Sequence, residues 1–98
     1  MKESEAIEVE DNGKKGQVVL YNNKQEAGKL TFFWKERGKF IIDHTEVGKE
    51  HGGKGYGKKL IEKIVEYARL KEAKVKPECP FAKAVLEKDD SFHDILDK

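Results

Sequence analysis

Apolar and polar residues alternate along the first half of this chain, and the period then changes. Residues 6–10 read Ala-Ile-Glu-Val-Glu, the alternation of a half-buried strand. Residues 17–21, a β-branched and aromatic run, predict a second strand. Residues 27–34 predict a third, carrying Leu30, Phe32, Phe33 and Trp34, and residues 40–47 a fourth. Asp11-Asn12-Gly13, Asn22-Asn23-Lys24 and Glu36-Arg37-Gly38-Lys39 separate them with turn chemistry. Such short connections hold no crossover helix, so the four strands form an antiparallel meander.

Strict alternation on the fourth strand places Phe40, Ile42, His44 and Glu46 on one face, and Ile41, Asp43, Thr45 and Val47 on the other. Residues 40–42 are apolar on both faces, which predicts a central strand. It turns polar toward its C-terminal end, where ligands gather on sheets of this kind.

Over residues 58–72 the period becomes helical. Tyr56, Leu60, Ile64 and Ala68 recur along one stripe with Ile61 and Val65 beside them, a core-facing pattern. Glu66 and Arg69 are spaced to pair on its solvated face. Residues 73–75 or 76 form a fifth strand, parallel to the fourth through a right-handed crossover, and Pro77 ends its pairing. Pro80 suits the first turn of a second helix with Cys79 at its N-cap, and Phe81, Ala84, Val85 and Lys88 trace its face. Ser91 caps a last short helix, with Asp94 at the capping-box position. Phe92, Ile95 and Leu96 dock it. The fold class is α+β (α/β), in the order β1-β2-β3-β4-α-β5-α.

Between the fourth strand and the first helix lie five glycines: Gly48, Gly52, Gly53, Gly55 and Gly57. Strand, glycine-rich turn and helix together make an anion cradle. The backbone can approach a ligand closely, and the first helical turn offers unpaired amides at the positive end of the dipole. Gly48, Gly53 and Lys54 fit the spacing of the nucleotide-hydrolase phosphate loop, but Gly55 stands where the magnesium-binding hydroxyl is needed. The dinucleotide fingerprint fails as well, its last glycine falling at Gly57, one residue early. The reading is therefore a phosphate or pyrophosphate cradle of another kind, with a flexible glycine turn as the alternative.

With 98 residues this is one domain with one modest core. Charged residues make up 40%, yet 20 basic residues balance 19 acidic ones to a net charge of +1. That balance speaks against a nucleic-acid binder. A single cysteine forms no internal disulfide, and neither a signal-peptide core nor a membrane-length apolar run is present. The default expectation is a cytoplasmic monomer without membrane or nucleic-acid partners.

Cys79 is the sharpest candidate for chemistry. A thiol at a helix N-terminus has a lowered pKa, and the parallel crossover brings it to the end of the fourth strand, near His44 or Glu46. It is either a nucleophile with an imidazole or carboxylate beside it, or a small buried hydrophobe. His44 and Glu46 are each a general base or a plain surface group. His51 and His93 read as solvated residues. One cysteine and three scattered histidines offer no zinc spacing. Lys54, Lys58 and Lys59 flank the cradle within reach of phosphates, or form a solvated run.

Gly52-Gly53-Lys54-Gly55-Tyr56-Gly57 resembles the acetyl-CoA loop of the GNAT acyltransferase superfamily, which runs Gln or Arg, two residues, Gly, one residue, Gly or Ala. Gly55 and Gly57 match its two small positions, and Gly52 stands in place of the Gln or Arg. His44-Thr45-Glu46-Val47 and the run Lys74-Val75-Lys76-Pro77-Glu78-Cys79-Pro80-Phe81 resemble the very small single-domain GNAT-like subfamily, over residues 27–96. The resemblance implies one minimal GNAT-like domain over 1–98 and acetyl-CoA as the acyl donor. The pyrophosphate would rest on Gly53, Lys54, Gly55, Tyr56, Gly57 and Lys58. The Val47 backbone would meet the pantetheine where the fourth and fifth strands splay apart. It implies N-acetyl transfer to an amine acceptor, small molecule or protein, with Cys79, His44 and Glu46 as catalytic groups. A second class of function is an acetyl-CoA-binding protein without efficient transfer. The turn at residues 11–15 is too short for the helices that enclose the acceptor in full GNAT domains, and no tyrosine lies on the helix after the fifth strand. A general interaction domain with a glycine turn comes third.

Overall fold

The computed structural model describes residues 5–48 and 55–97. Strands β1 (Glu5–Asp11), β2 (Lys15–Asn22), β3 (Gln25–Glu36) and β4 (Lys39–Val47) precede helix α1 (Tyr56–Leu70), strand β5 (Lys74–Pro77) and helix α2 (Pro80–Lys88). A 3-10 turn, Asp90–Phe92, closes the order. The sheet runs β1-β2-β3-β4-β5, with antiparallel neighbours except the last pair, which is parallel. The meander follows from its tight turns. In the first, Asn12 Oδ1 accepts the amides of Lys14 and Lys15, and Asp11 accepts that of Gly13. The parallel step follows from α1, which crosses the sheet and returns the chain beside β4.

One core lies between the sheet and both helices. From the sheet come Val18, Leu20, Leu30, Phe32, Phe40 and Ile42; α1 supplies Tyr56, Leu60, Ile61, Ile64, Val65 and Ala68. Each buried Leu or Ile contributes about 2 kcal/mol through area removed from water. The helical stripe read from the sequence is therefore the core face of α1. No described helix covers the opposite side of the sheet, hereafter the outer face. Among the described residues no helix is long and apolar enough to cross a membrane.

Strict alternation fails on β4. Phe32 pairs with Ile42, but Thr31 pairs with His44, so Asp43 is an extra residue. This is a β-bulge, and it resets the faces beyond it. Phe40 and Ile42 face the core as expected. Past the bulge it is Thr45 and Val47 that face the helices, opposite Leu30 and Gly28. His44 and Glu46, opposite Thr31 and Lys29, point to the outer face. The expectation that His44 and Glu46 share the face of Phe40 and Ile42 is overturned by that one inserted residue.

Beyond Ile42, opposite Pro77, no residue of β5 pairs with β4. The Ile42 carbonyl instead accepts the amides of Glu78 and Cys79, at 2.9 and 3.2 Å, which lifts the chain off the sheet into α2. The face of α2 also differs from expectation. Ala82 and Leu86 are its buried residues, while Phe81 is exposed and Ala84 faces solvent. Docking through the Cys79 N-cap fixes the helix's rotation, which periodicity over nine residues did not. At the C-terminal end, Asp89 rather than Ser91 caps the last turn, its side chain accepting from the Ser91 amide and hydroxyl. Asp94 and Arg69 form a two-pronged ion pair, and Glu66 pairs with Lys63 rather than Arg69. Leu96 bridges to Val75 and shields the free edge of β5.

Candidate active site at the splay of β4 and β5

Two helix N-termini converge at the end of the sheet where β4 and β5 part. Helix α1 begins at Gly55, whose φ of 73° is left-handed and suits a residue without a Cβ. Its N-cap glycine has no side chain to cap α1, and no acidic residue stands in its first turn. The amides of Gly57 and Lys58 fall in the first turn, which helical geometry leaves without an intrahelical acceptor. Helix α2 begins at Cys79, extended at φ −76° and ψ 127°, with Pro80 at its first position.

Phe81 joins the two ends. A Cβ on Gly57 would lie 2.6 Å from Phe81 Cζ, so the ring sits directly on the Gly57 backbone. Tyr56 is buried beneath, its hydroxyl donating to Glu5 at 3.1 Å. Lys58 is exposed and lines a groove of about 590 Å3 with Val85, Lys88, Asp89 and Asp90. A second, smaller cleft of about 300 Å3 lies at the end of β4, between Glu26, Ala27, Gly28, Glu46, Val47 and Gly48. Of the predicted cradle, Gly55, Tyr56, Gly57 and Lys58 form the start of α1. Gly53 and Lys54 lie outside the described residues.

Cys79 is buried, 8% exposed. Burial pushes its pKa up, but the Ala82 amide, the Thr45 hydroxyl, and the Phe81 and Thr45 backbones push it down, and the net position is below that of an ordinary thiol. The group is biased toward the nucleophilic thiolate without a charged neighbour among these causes. Thr45 Oγ1 is itself buried and makes no hydrogen bond among the described residues, and its hydroxyl is among the groups that lower the Cys79 pKa.

Alternation alone hides Thr45, because it assigns that side chain to the wrong face. Its signal is only visible in the pairing register. His44 and Glu46 are brought together, but away from the thiol. His44 Nε2 and Glu46 Oε2 are 3.2 Å apart on the outer face, with both side chains largely exposed. Next to them the Thr31 hydroxyl donates to Asp43 at 2.6 Å. Outer-face residues Glu10, Gln17, Thr31, Phe33 and Asp43 border a wider groove of about 800 Å3, remote from the start of α1. Among the described residues no group of three or more His, Cys, Asp or Glu side chains is gathered to hold a metal ion.

The sequence profile of one family, described as GCN5-related N-acetyl-transferase, matches residues 17–95. The chain belongs to the GCN5-related N-acetyltransferase family. A GCN5-like candidate N-acetyltransferase from Staphylococcus aureus, known from a solution structure, shares 35% identity. The match covers 91% of this chain and 86% of that one, at a TM-score of 0.68. Two more distant acetyltransferase structures share the fold. An IAA acetyltransferase from Bacillus cereus ATCC 14579 aligns at TM-score 0.69 and 17% identity, over 87% of this chain and 75% of its own. A ribosomal-protein-alanine N-acetyltransferase from Brucella melitensis biovar Abortus 2308 aligns at 0.66 and 19%, over 80% and 62%. No protein of curated function matches. The five-stranded mixed sheet and its two helices are thus a GNAT fold, and acetyl-CoA is the general co-substrate of GNAT enzymes.

Proposed function

We propose that this chain is an acetyl-CoA-dependent N-acetyltransferase, with residues 1–98 acting as one minimal acetyl-CoA-binding domain. The observation that carries the reading is the seating of Phe81 on Gly57. It sets the buried thiol of Cys79, whose pKa is lowered, beside a helix N-terminus that begins at a glycine and suits a pyrophosphate. The amides of Gly55, Tyr56, Gly57 and Lys58, with Gly53 and Lys54 preceding them, hold the diphosphate. The unpaired edge of β4 at Val47 hydrogen-bonds the pantetheine and leads the thioester into the gap below Ile42.

There the Cys79 thiolate attacks the acetyl carbonyl. The bond from that carbon to the CoA sulfur breaks, and the departing CoA thiolate takes up a proton. An amine then attacks the acetyl group on Cys79, loses a proton, and returns the cysteine as thiolate. His44 and Glu46 serve as the base for the amine from the outer face, so donor and acceptor approach the gap from opposite sides of the sheet.

The test is radiolabelled acetyl-CoA with an acid quench. A labelled enzyme that is lost in Cys79→Ala is expected. Amine acetylation that proceeds at the wild-type rate in Cys79→Ala would replace the two-step route with direct transfer. An NMR titration with CoA should concentrate shifts at Val47, Gly55 to Lys58 and Cys79; no perturbation at millimolar CoA would sink the whole reading.

A second reading, acetyl-CoA binding without efficient transfer, is favoured by the bare outer face. The β1–β2 connection is a tight turn, and no described helix encloses an acceptor there. Tight binding with no turnover over a broad amine panel would select it.

A further inference from the structure

We propose that Thr45 is a positioning residue for Cys79, its hydroxyl aiming a hydrogen at Sγ and holding the sulfur at the mouth of the gap between β4 and β5. The proposal rests on the reading of Cys79 as the acetyl carrier. Three observations lead to it.

The first is the bulge. The extra Asp43 shifts the register of β4 against β3 between Phe32 and Thr31, and it is this break that sets Thr45 opposite Leu30 on the helix side. The second is chemical mismatch. Leu30 is fully buried, and Thr45 Oγ1 is sealed from solvent with no regular hydrogen-bond partner. A valine would fill the same volume without burying a hydroxyl, which is costly when unpaired. The third is what the hydroxyl faces. On that same side Cys79 is anchored three residues earlier on the strand, its amide on the Ile42 carbonyl at 3.2 Å. Strand and helix thus turn the unpaired hydroxyl and the sulfur toward the same gap, and an ionised sulfur is the better acceptor of the two protonation states.

The groups acting on the sulfur are few. Helix α2 presents the amides of Phe81 and Ala82, and β4 presents the hydroxyl and backbone of Thr45; no charged side chain is among them. Asp43, His44 and Glu46, the charged or titratable neighbours of Thr45 on β4, project to the outer face. Thr45 is thus the one side chain in this set, and the one a substitution can remove.

The test follows the 13Cβ shift of Cys79 against pH in the folded protein, where the single cysteine gives a single assignment. Thr45→Val should raise the titration midpoint by about one pH unit, the scale of one hydrogen bond to a charged group. Thr45→Ser should keep the wild-type midpoint. An unmoved midpoint in Thr45→Val, or a Thr45→Ser midpoint as high as that of Thr45→Val, overturns the proposal. If Thr45→Val does not fold by circular dichroism, Thr45→Ala is judged by the same two criteria. The readout needs no acetyl-CoA, so it is separate from the carrier reading. An unmoved midpoint with labelled acetyl-enzyme removes Thr45 alone, and a shifted midpoint without acetyl-enzyme removes the carrier alone.

Discussion

The Tyr67 hydroxyl donates a 2.6 Å hydrogen bond to the Asp11 carboxylate, joining helix α1 to the end of β1 across 56 residues of sequence. Asp11 also accepts the Trp34 indole N–H at 3.0 Å and the Gly13 amide at 2.8 Å. One carboxylate thus ties a turn, a strand and a helix at the end of the sheet away from Cys79.

Asp11→Ala should therefore cost about 1–3 kcal/mol, because it strands a half-buried phenol and an indole N–H. The pH dependence has two limbs. Burial raises the Asp11 pKa, but Tyr67, Gly13, Trp34 and Lys71 lower it further, so its net shift is downward. Its contribution is present above the unfolded value of about 3.9 and is lost as pH falls through the lower folded value. Tyr67 is pushed up to about 12 by burial and by Asp11. Its contribution is present below the unfolded value of about 10 and is lost as pH rises through the folded one. Urea denaturation should show both limbs weakened in Asp11→Ala; identical acid limbs would remove the role.

Gly57→Ala should separate folding from ligand binding. The new Cβ would stand 2.6 and 2.9 Å from the Phe81 ring, which is 43% exposed and can swing aside. Alanine also favours the helix by up to about 1 kcal/mol over glycine. Stability should hold, while CoA affinity should fall roughly tenfold, or about 1.4 kcal/mol, as the displaced ring crowds the cradle. Calorimetric titration beside thermal melts checks it, and unchanged affinity would separate Phe81 from the site.

Gly16→Ala should behave in the opposite way. A Cβ there would meet the Glu10 carbonyl at 2.4 Å and Phe32 Cζ at 2.5 Å, and neither the β1 backbone nor a core ring moves cheaply. We expect a loss of about 1–3 kcal/mol from overpacking. A melting temperature equal to wild type would contradict that packing.

His44→Ala should leave the Cys79 titration midpoint where it is, since the imidazole lies on the other side of the sheet. The same variant should slow amine acetylation in the proposed reaction. A midpoint that moves with His44 would place the imidazole within reach of the sulfur and undo the assignment of faces.

The elements themselves were legible in the sequence. Alternation in β1 and β2, the stripe from Tyr56 to Ala68, and the turn residues between strands are local signals. Each records which side of its own element is buried. Cys79 and Pro80 likewise announce a helix start, because a proline at that position and an extended residue before it are local backbone facts.

What the sequence did not reveal was relational. Nothing in the run Ile42-Asp43-His44-Thr45 marks Asp43 as supernumerary, because a bulge exists only against a partner strand. Yet that one residue moves His44 and Glu46 to the outer face and brings Thr45 to Cys79. The rotation of α2 and the choice of Asp94 by Arg69 are of the same kind, set by what each element docks against. The amino-acid pattern by itself determined which segments are strands and helices and where a thiol meets a helix N-terminus. Tertiary pairing alone decided which side chains share a face with that thiol, because a single extra residue in a strand with a period of two reverses every assignment after it.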